Sequence, residues 1–140
     1  MMKKMMKTFL WILWLMLIYY FSSQNGTESG FLSNGILIKI ADILKINDVD
    51  GFVKTFSVLI RKTAHFFEYF MLFILTYECL KEYKIRKVLI VSLLFCVSWA
   101  FFDEFHQLFV DGRCGQIKDV LIDSFGSFTS LLFWHRLIKR

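Results

Sequence analysis

The sequence predicts an all-α membrane protein: four transmembrane helices in one bundle, plus a short amphipathic helix on the outer side. Three observations predict it. The 140 residues are 56% hydrophobic, with a mean hydropathy of +0.53 and no proline. The apolar residues fall into four long runs with no sustained alternation, which argues for helices over strands. The charged fraction of 21% is near that of soluble domains, so segregation is the informative feature: basic residues cluster between the runs. Residues 1–140 read as a single membrane domain.

The first run, Thr8–Phe21, spans about 21 Å as a helix, short for a hydrocarbon core of about 30 Å. Lys7 is expected to snorkel on one side, with Tyr19 and Tyr20 at the opposite interface. A signal peptide competes for this segment, but the bulky Tyr19-Tyr20-Phe21 before Ser22 makes a poor cleavage site. An uncleaved helix is expected.

SSQNGTESG then reads as a polar loop. GILIKIADILK places Ile36, Ile40, Ile43 and Leu44 on one face of a short surface helix. NDVDG is a turn and helix start. As a calcium loop it would put Ile46 and Ser57 at the first and twelfth ligand positions, and neither serves. The second run is Ala64–Leu80, prolonged outward through Phe52, Phe56, Leu59 and Ile60. Val88–Val110 and Val120–Ile138 are the third and fourth.

With the N-terminus inside, the inner segments hold Lys3, Lys4, Lys7, Lys81, Lys84, Arg86, Lys87, Arg136, Lys139 and Arg140. The longer outer segments hold Lys39, Lys45, Lys54, Arg61, Lys62, Arg113 and Lys118. Ten against seven, in fewer residues, puts both termini in the cytoplasm. The same lysines account for the net charge of +5, and no nucleic-acid-binding pattern is present. Cys79, Cys96 and Cys114 have no metal-ligand spacing. Ser92, Cys96 and Ala100 form a small-residue stripe for close helix packing, as do Gly126 and Ser130.

Ionisable residues interrupt the apolar runs at one depth. Glu68 lies about 10 Å below Arg61, Asp103 about 10 Å below Val110, and Asp123 about 6 Å beyond Asp119. Arg61, His65 and Glu68 share a helical face, as do Asp103, His106 and Gln107, and Asp119, Asp123 and Ser127. Charges in hydrocarbon cost several kcal/mol unless paired or wet. These faces are therefore expected to meet just under the outer surface, with no comparable layer on the inner half.

Three motifs in order carry a resemblance: RKTAHFFEY, DEFHQ, and GR followed by DVLIDSFG. With SSQ after the first helix, they resemble the VanZ-like family of small bacterial membrane proteins, over about residues 22–130. Asp111 and Ser130 depart from the family pattern, and His106 and Cys114 lie outside its motifs. The resemblance implies a multi-pass protein of the bacterial cytoplasmic membrane, in a family associated with glycopeptide (teicoplanin) resistance. It supplies no biochemical activity.

Ligand-binding candidates are Arg61, Lys62, His65, Glu68, Tyr69, Asp103, Glu104, Gln107, Arg113, Asp119 and Asp123. Arg61 and Lys62 serve as headgroup anchors or as part of a phosphate clamp. Arg113 is the better clamp through its planar fork. His65 is a packing histidine, a proton carrier or a metal ligand. Glu68, Asp103 and Asp123 pair with the arginines or act in chemistry. Glu104 sits about 100° around the helix from Asp103 and faces a different neighbour. Gln107 is a satisfied polar group, and Tyr69 an interfacial aromatic or a donor to the cluster.

Two functional classes follow. One is a pocket for an anionic lipid or lipid-linked cell-wall precursor at the outer leaflet. The alternative is an intramembrane metal-dependent hydrolase or transferase acting on a lipid headgroup, with His65, Glu68, Asp103 and Asp123 as catalytic candidates. No HExxH or Ser-His-Asp order supports the second, and carboxylates outnumber histidines, favouring Mg²⁺ or Mn²⁺ over Zn²⁺. Whether a divalent metal is the cofactor stays open at this level. A proton-coupled transporter is a weaker third class, because the inner half offers no polar path.

Overall fold

A computed structural model describes residues 1–138 as five helices: α1 (Met2–Ser23), α2 (Gly26–Ile43), α3 (Val49–Glu82), α4 (Val88–Gln107) and α5 (Ile117–Ile138). Lys139 and Arg140, counted above among the inner basic residues, lie outside the described residues. No strand occurs among the described residues.

Two elements differ from expectation. The first helix has 22 residues rather than the 14 of its apolar core, because MMKKMMK contains no helix breaker. At about 33 Å it no longer falls short of a bilayer. Lys7 does not snorkel freely but pairs across to α3.

The second difference is α2. The segment read as a polar loop instead ends α1 at Ser23 and begins α2 at Gly26. Asn25 Oδ1 accepts the Glu28 backbone N–H at 2.8 Å, and Glu28 Oε2 accepts the Asn25 N–H at 3.3 Å. This reciprocal capping box starts a helix of 18 residues. Its packed face also differs: Leu37 and Ala41 are buried, whereas Ile36, Ile43 and Leu44 are 52%, 77% and 63% exposed. The docking surface of α3 selects the inward side here, because apolar residues occur around much of α2.

α3 is one continuous helix of 34 residues, so the outward extension before Ala64 is helical. Asp48 caps it by accepting the Gly51 N–H at 2.9 Å. α3 is the central element, packing against each of the other four helices and most extensively against α5.

Small residues set the closest approaches. A Cβ on Gly126 would lie 2.3 Å from the Phe66 carbonyl oxygen, so only glycine lets α5 come this near α3. One residue on, the Ser127 hydroxyl donates to the Tyr69 carbonyl at 3.2 Å. Ser92, Cys96 and Ala100 are fully buried, which places the predicted stripe in a helix interface. Indole N–H groups fasten α1: Trp14 donates to the Glu68 carbonyl and Trp11 to the Thr76 hydroxyl, both at 3.0 Å.

The ion pairs fix the directions of the helices. Lys7 near the start of α1 meets Glu78 and Glu82 near the end of α3. Lys62 of α3 meets Asp119 in the first turn of α5. The start of α1 and the far end of α5 therefore share one end of the bundle, as the Tyr77–Trp134 ring contact agrees. Among the described residues two helices, α1 and α4, are long and apolar enough to cross a membrane by length and composition. Many of their large apolar side chains face outward, including Phe9, Leu13 and Met16 of α1 and Ile90, Leu94 and Phe101 of α4.

Candidate functional site

The ionisable faces of α3, α4 and α5 meet at the other end of the bundle. There a cavity of ≈ 520 Å³ opens between α1, α2, α3 and α4. Ile18, Phe21, Ile36, Ile60 and Phe67 form apolar walls; Arg61, His65, Glu68, Asp103, Gln107 and Arg113 form the polar end. Ser22, Ser29 and Ser33 add hydroxyls from α1 and α2. The sequence signal missed the contribution of α2, because its first turns read as loop. The capping box N-x-x-E was the cue available.

The candidates divide into three groups. His65, Glu68, Asp103, Gln107, Arg61 and Arg113 line the cavity. Glu104 and Asp123 stand behind its wall. One ligand atom from each of His65, Asp103, Glu104 and Asp123 lies within 4.8 Å of the others. This corrects two expectations. Glu104 joins Asp103 in one cluster, and Glu104, not Glu68, completes the candidate metal set. The α4 register permits it because α5 and the 108–116 connection wrap over the end of α4: the Gln116 N–H donates to Glu104 Oε2 at 2.7 Å.

Lys62, Asp119 and Tyr69 form the third group. None lines the cavity. Lys62 Nζ and Asp119 Oδ1 are 2.6 Å apart and link α3 to α5. Tyr69 is fully buried and therefore not an interfacial aromatic; its hydroxyl has no protein partner.

Arg113 lines the cavity, but its fork is engaged. Nε donates to the Gln24 carbonyl and Nη2 to the Phe21 carbonyl, both at 3.0 Å, and Nη1 reaches Gln107 Oε1 at 3.4 Å. It thus satisfies carbonyls at the end of α1 that a helix leaves unpaired. Burial and then the Arg61 charge hold its pKa below the usual arginine value, yet arginine stays charged. Arg61, by contrast, has no carboxylate within ion-pair distance among the described residues. Of the two cavity arginines, Arg113 is thus the engaged one, contrary to its reading from sequence as the better clamp.

The cluster itself is short of hydrogen-bond partners. Asp123 is 0% exposed, and neither of its carboxylate oxygens is hydrogen-bonded within the protein. His65 Nδ1 lies 3.3 Å from Asp123 Oδ1, within ion-pair distance but without hydrogen-bond alignment. Glu104 Oε1, Ser22 Oγ and Gln107 Nε2 are likewise unpartnered, so Gln107 is only half satisfied. Buried polar atoms without partners each cost roughly 1–3 kcal/mol, and they concentrate here. His106 turns away and packs on the Tyr19 ring at 4.8 Å, and Cys114 is exposed.

A helical bundle with two helices apolar enough to span, outward apolar faces and a buried polar cluster at one end suggests a membrane-protein class. Within that class the chain belongs to the VanZ/LLP1 family, whose pattern it matches over residues 7–139. The match reaches beyond the motif-bearing stretch to include most of α1. No curated protein and no solved structure matches the chain.

Proposed function

We propose that this chain is a four-span protein of the bacterial cytoplasmic membrane, with both termini cytoplasmic, whose cavity binds a phosphate-bearing lipid headgroup under the outer face. The ligand class is an anionic lipid or a lipid-linked cell-wall precursor. One observation carries the reading: a single cavity joins apolar walls from Ile18, Phe21, Ile36 and Phe67 to a polar end holding the unpaired Arg61. That division suits an amphiphile, with the lipid chain against the apolar wall and a phosphate on the guanidinium.

The spans are α1, α3, α4 and α5. α3 and α5 are less apolar than α1 and α4 because they carry the ionisable groups of the site, which face inward where burial and pairing offset their cost. The basic turn between α3 and α4 lies at the same end as the start of α1 and the far end of α5, in accord with the positive-inside rule. Glycopeptides act on wall precursors at the outer face, so a pocket there agrees with the teicoplanin link that the family resemblance implies.

The test is equilibrium binding of a polyprenyl pyrophosphate to the purified protein in nanodiscs, beside a neutral lipid of equal chain length. Preference for the pyrophosphate, weakened about tenfold in Arg61→Ala, is the expected result. Equal binding of both lipids refutes the reading.

A further inference from the structure

We infer that His65, Asp103, Glu104 and Asp123 form a binding site for one first-row divalent cation, set in the wall of the cavity. The inference goes beyond the lipid reading and does not depend on it.

Three observations lead to it. The first is spacing. The four ligand atoms come from α3, α4 and α5 and lie within 4.8 Å of one another. Ligands on opposite sides of an ion with bonds of about 2.1–2.4 Å stand about 4.2–4.8 Å apart. The side chains can therefore close on an ion with little movement of the helices.

The second is the state of the carboxylates. Asp103, Glu104 and Asp123 are 4%, 5% and 0% exposed. Both oxygens of Asp123 and one of Glu104 have no hydrogen-bond partner within the protein. Buried carboxylates are found paired, hydrogen-bonded or coordinating a metal.

The third is the lack of a competing cation. Lys62 is held by Asp119, and Arg113 is directed at the carbonyls of Phe21 and Gln24 and at Gln107. Arg61 and Arg113 line the cavity, but neither pairs with a carboxylate among the described residues. Only His65 approaches the cluster, and it is itself a potential ligand. A divalent ion neutralises two of the three carboxylate charges and supplies partners for the free oxygens at once.

The ligand types narrow the ion. One imidazole among three carboxylates suits Mn²⁺: the carboxylate majority favours it over Zn²⁺, and the imidazole favours it over Mg²⁺ or Ca²⁺, which take all-oxygen shells. The ion is open to the cavity, because His65 and Asp103 are both cluster members and lining residues.

The experiment is a Mn²⁺ titration of the full chain in nanodiscs after chelator treatment, read by electron paramagnetic resonance. One saturable Mn²⁺ per chain is expected, with nitrogen coupling that His65→Gln abolishes. Asp123→Asn and Glu104→Gln weaken binding about tenfold or more, and Glu78→Gln, at the far end of α3, leaves it unchanged. The wild-type titration decides by itself if the variants misfold: a wild-type protein that melts cooperatively yet shows no saturable site overturns the inference. Folded Asp123→Asn and Glu104→Gln proteins that bind as the wild type does also overturn it. Arg61→Ala separates the two proposals, since it is expected to lose lipid while retaining Mn²⁺.

Discussion

The two ends of the bundle treat charge in opposite ways. At the end that the proposed topology makes the inner one, Lys7 Nζ reaches Glu78 Oε2 at 2.7 Å and Glu82 Oε1 at 2.5 Å, with all three side chains 20–29% exposed. Lys4 covers the Tyr83 ring, and Thr8 meets the Tyr83 hydroxyl at 3.1 Å. The charges of Lys7, Glu78 and Glu82 thus satisfy one another. At the cavity end, the outer one in that topology, the carboxylates are more deeply buried and have fewer partners. The expectation that the inner half carries no charged layer is thus modified: it holds a paired contact, not a pocket. Ionisable residues that satisfy one another fasten helices, whereas ionisable residues that do not are placed for something else.

The contrast can be broken at several points. The largest effect is expected at Arg113, which closes the outer end rather than the cavity. Arg113→Ala removes charge-assisted bonds to Phe21 and Gln24 and is expected to cost about 3 kcal/mol. It should appear as a clear fall in the melting temperature of detergent-solubilised protein. A melting temperature equal to wild type would show that the α1 carbonyls find other donors. Next is Gly126→Ala, whose methyl group would collide with the Phe66 carbonyl. A loss of about 1–3 kcal/mol is expected, with the outer cluster loosened and the α1–α3 contact at the inner end intact. Cysteine cross-linking at each end reads the two separately; equal loosening at both would contradict the division.

The sharpest comparison comes from one carboxylate at each end. In chelated protein, Asp123→Asn removes a buried carboxylate charge that no protein group hydrogen-bonds and is expected to stabilise the fold by about 1 kcal/mol or more. Glu78→Gln removes a partner of Lys7 and is expected to lower the melting temperature slightly. Opposite signs sustain the distinction, and destabilisation by both would mean that the outer cluster is a structural network after all. The smallest effect is expected for Lys62→Ala. Its partly exposed pair with Asp119 contributes about 1 kcal/mol or less, and lipid binding should be unaltered because neither residue lines the cavity. Lost lipid binding in a well-folded Lys62→Ala protein would return Lys62 to the site.

Much of the molecule was legible in the sequence because it depends on local periodicity. The helical class, the outward extension of α3, the Ser92–Cys96–Ala100 stripe and the convergence of His65, Asp103 and Asp123 all follow from 3.6-residue spacing and depth along a helix. The motifs in RKTAHFFEY and DVLIDSFG also carried the family. Spacing within one helix could not reveal the rest. Ile36 or Leu37 was an equal choice for the inward face of α2 until α3 supplied a surface. Arg113 read as a free fork because the carbonyls that occupy it belong to residues about 90 positions away. Lys62 read as part of the pocket until Asp119 drew it aside.

By itself, then, the sequence determined that this chain is helical, that the ionisable faces of three helices converge, and that it is a VanZ/LLP1 protein. These are properties of order and period along one dimension. Only the tertiary structure decided which of those polar groups pair, which face the cavity, and that Glu104 rather than Glu68 joins His65, Asp103 and Asp123. Such choices depend on the rotation and crossing of packed helices, where one small residue such as Gly126 sets a distance that no pattern along the chain encodes.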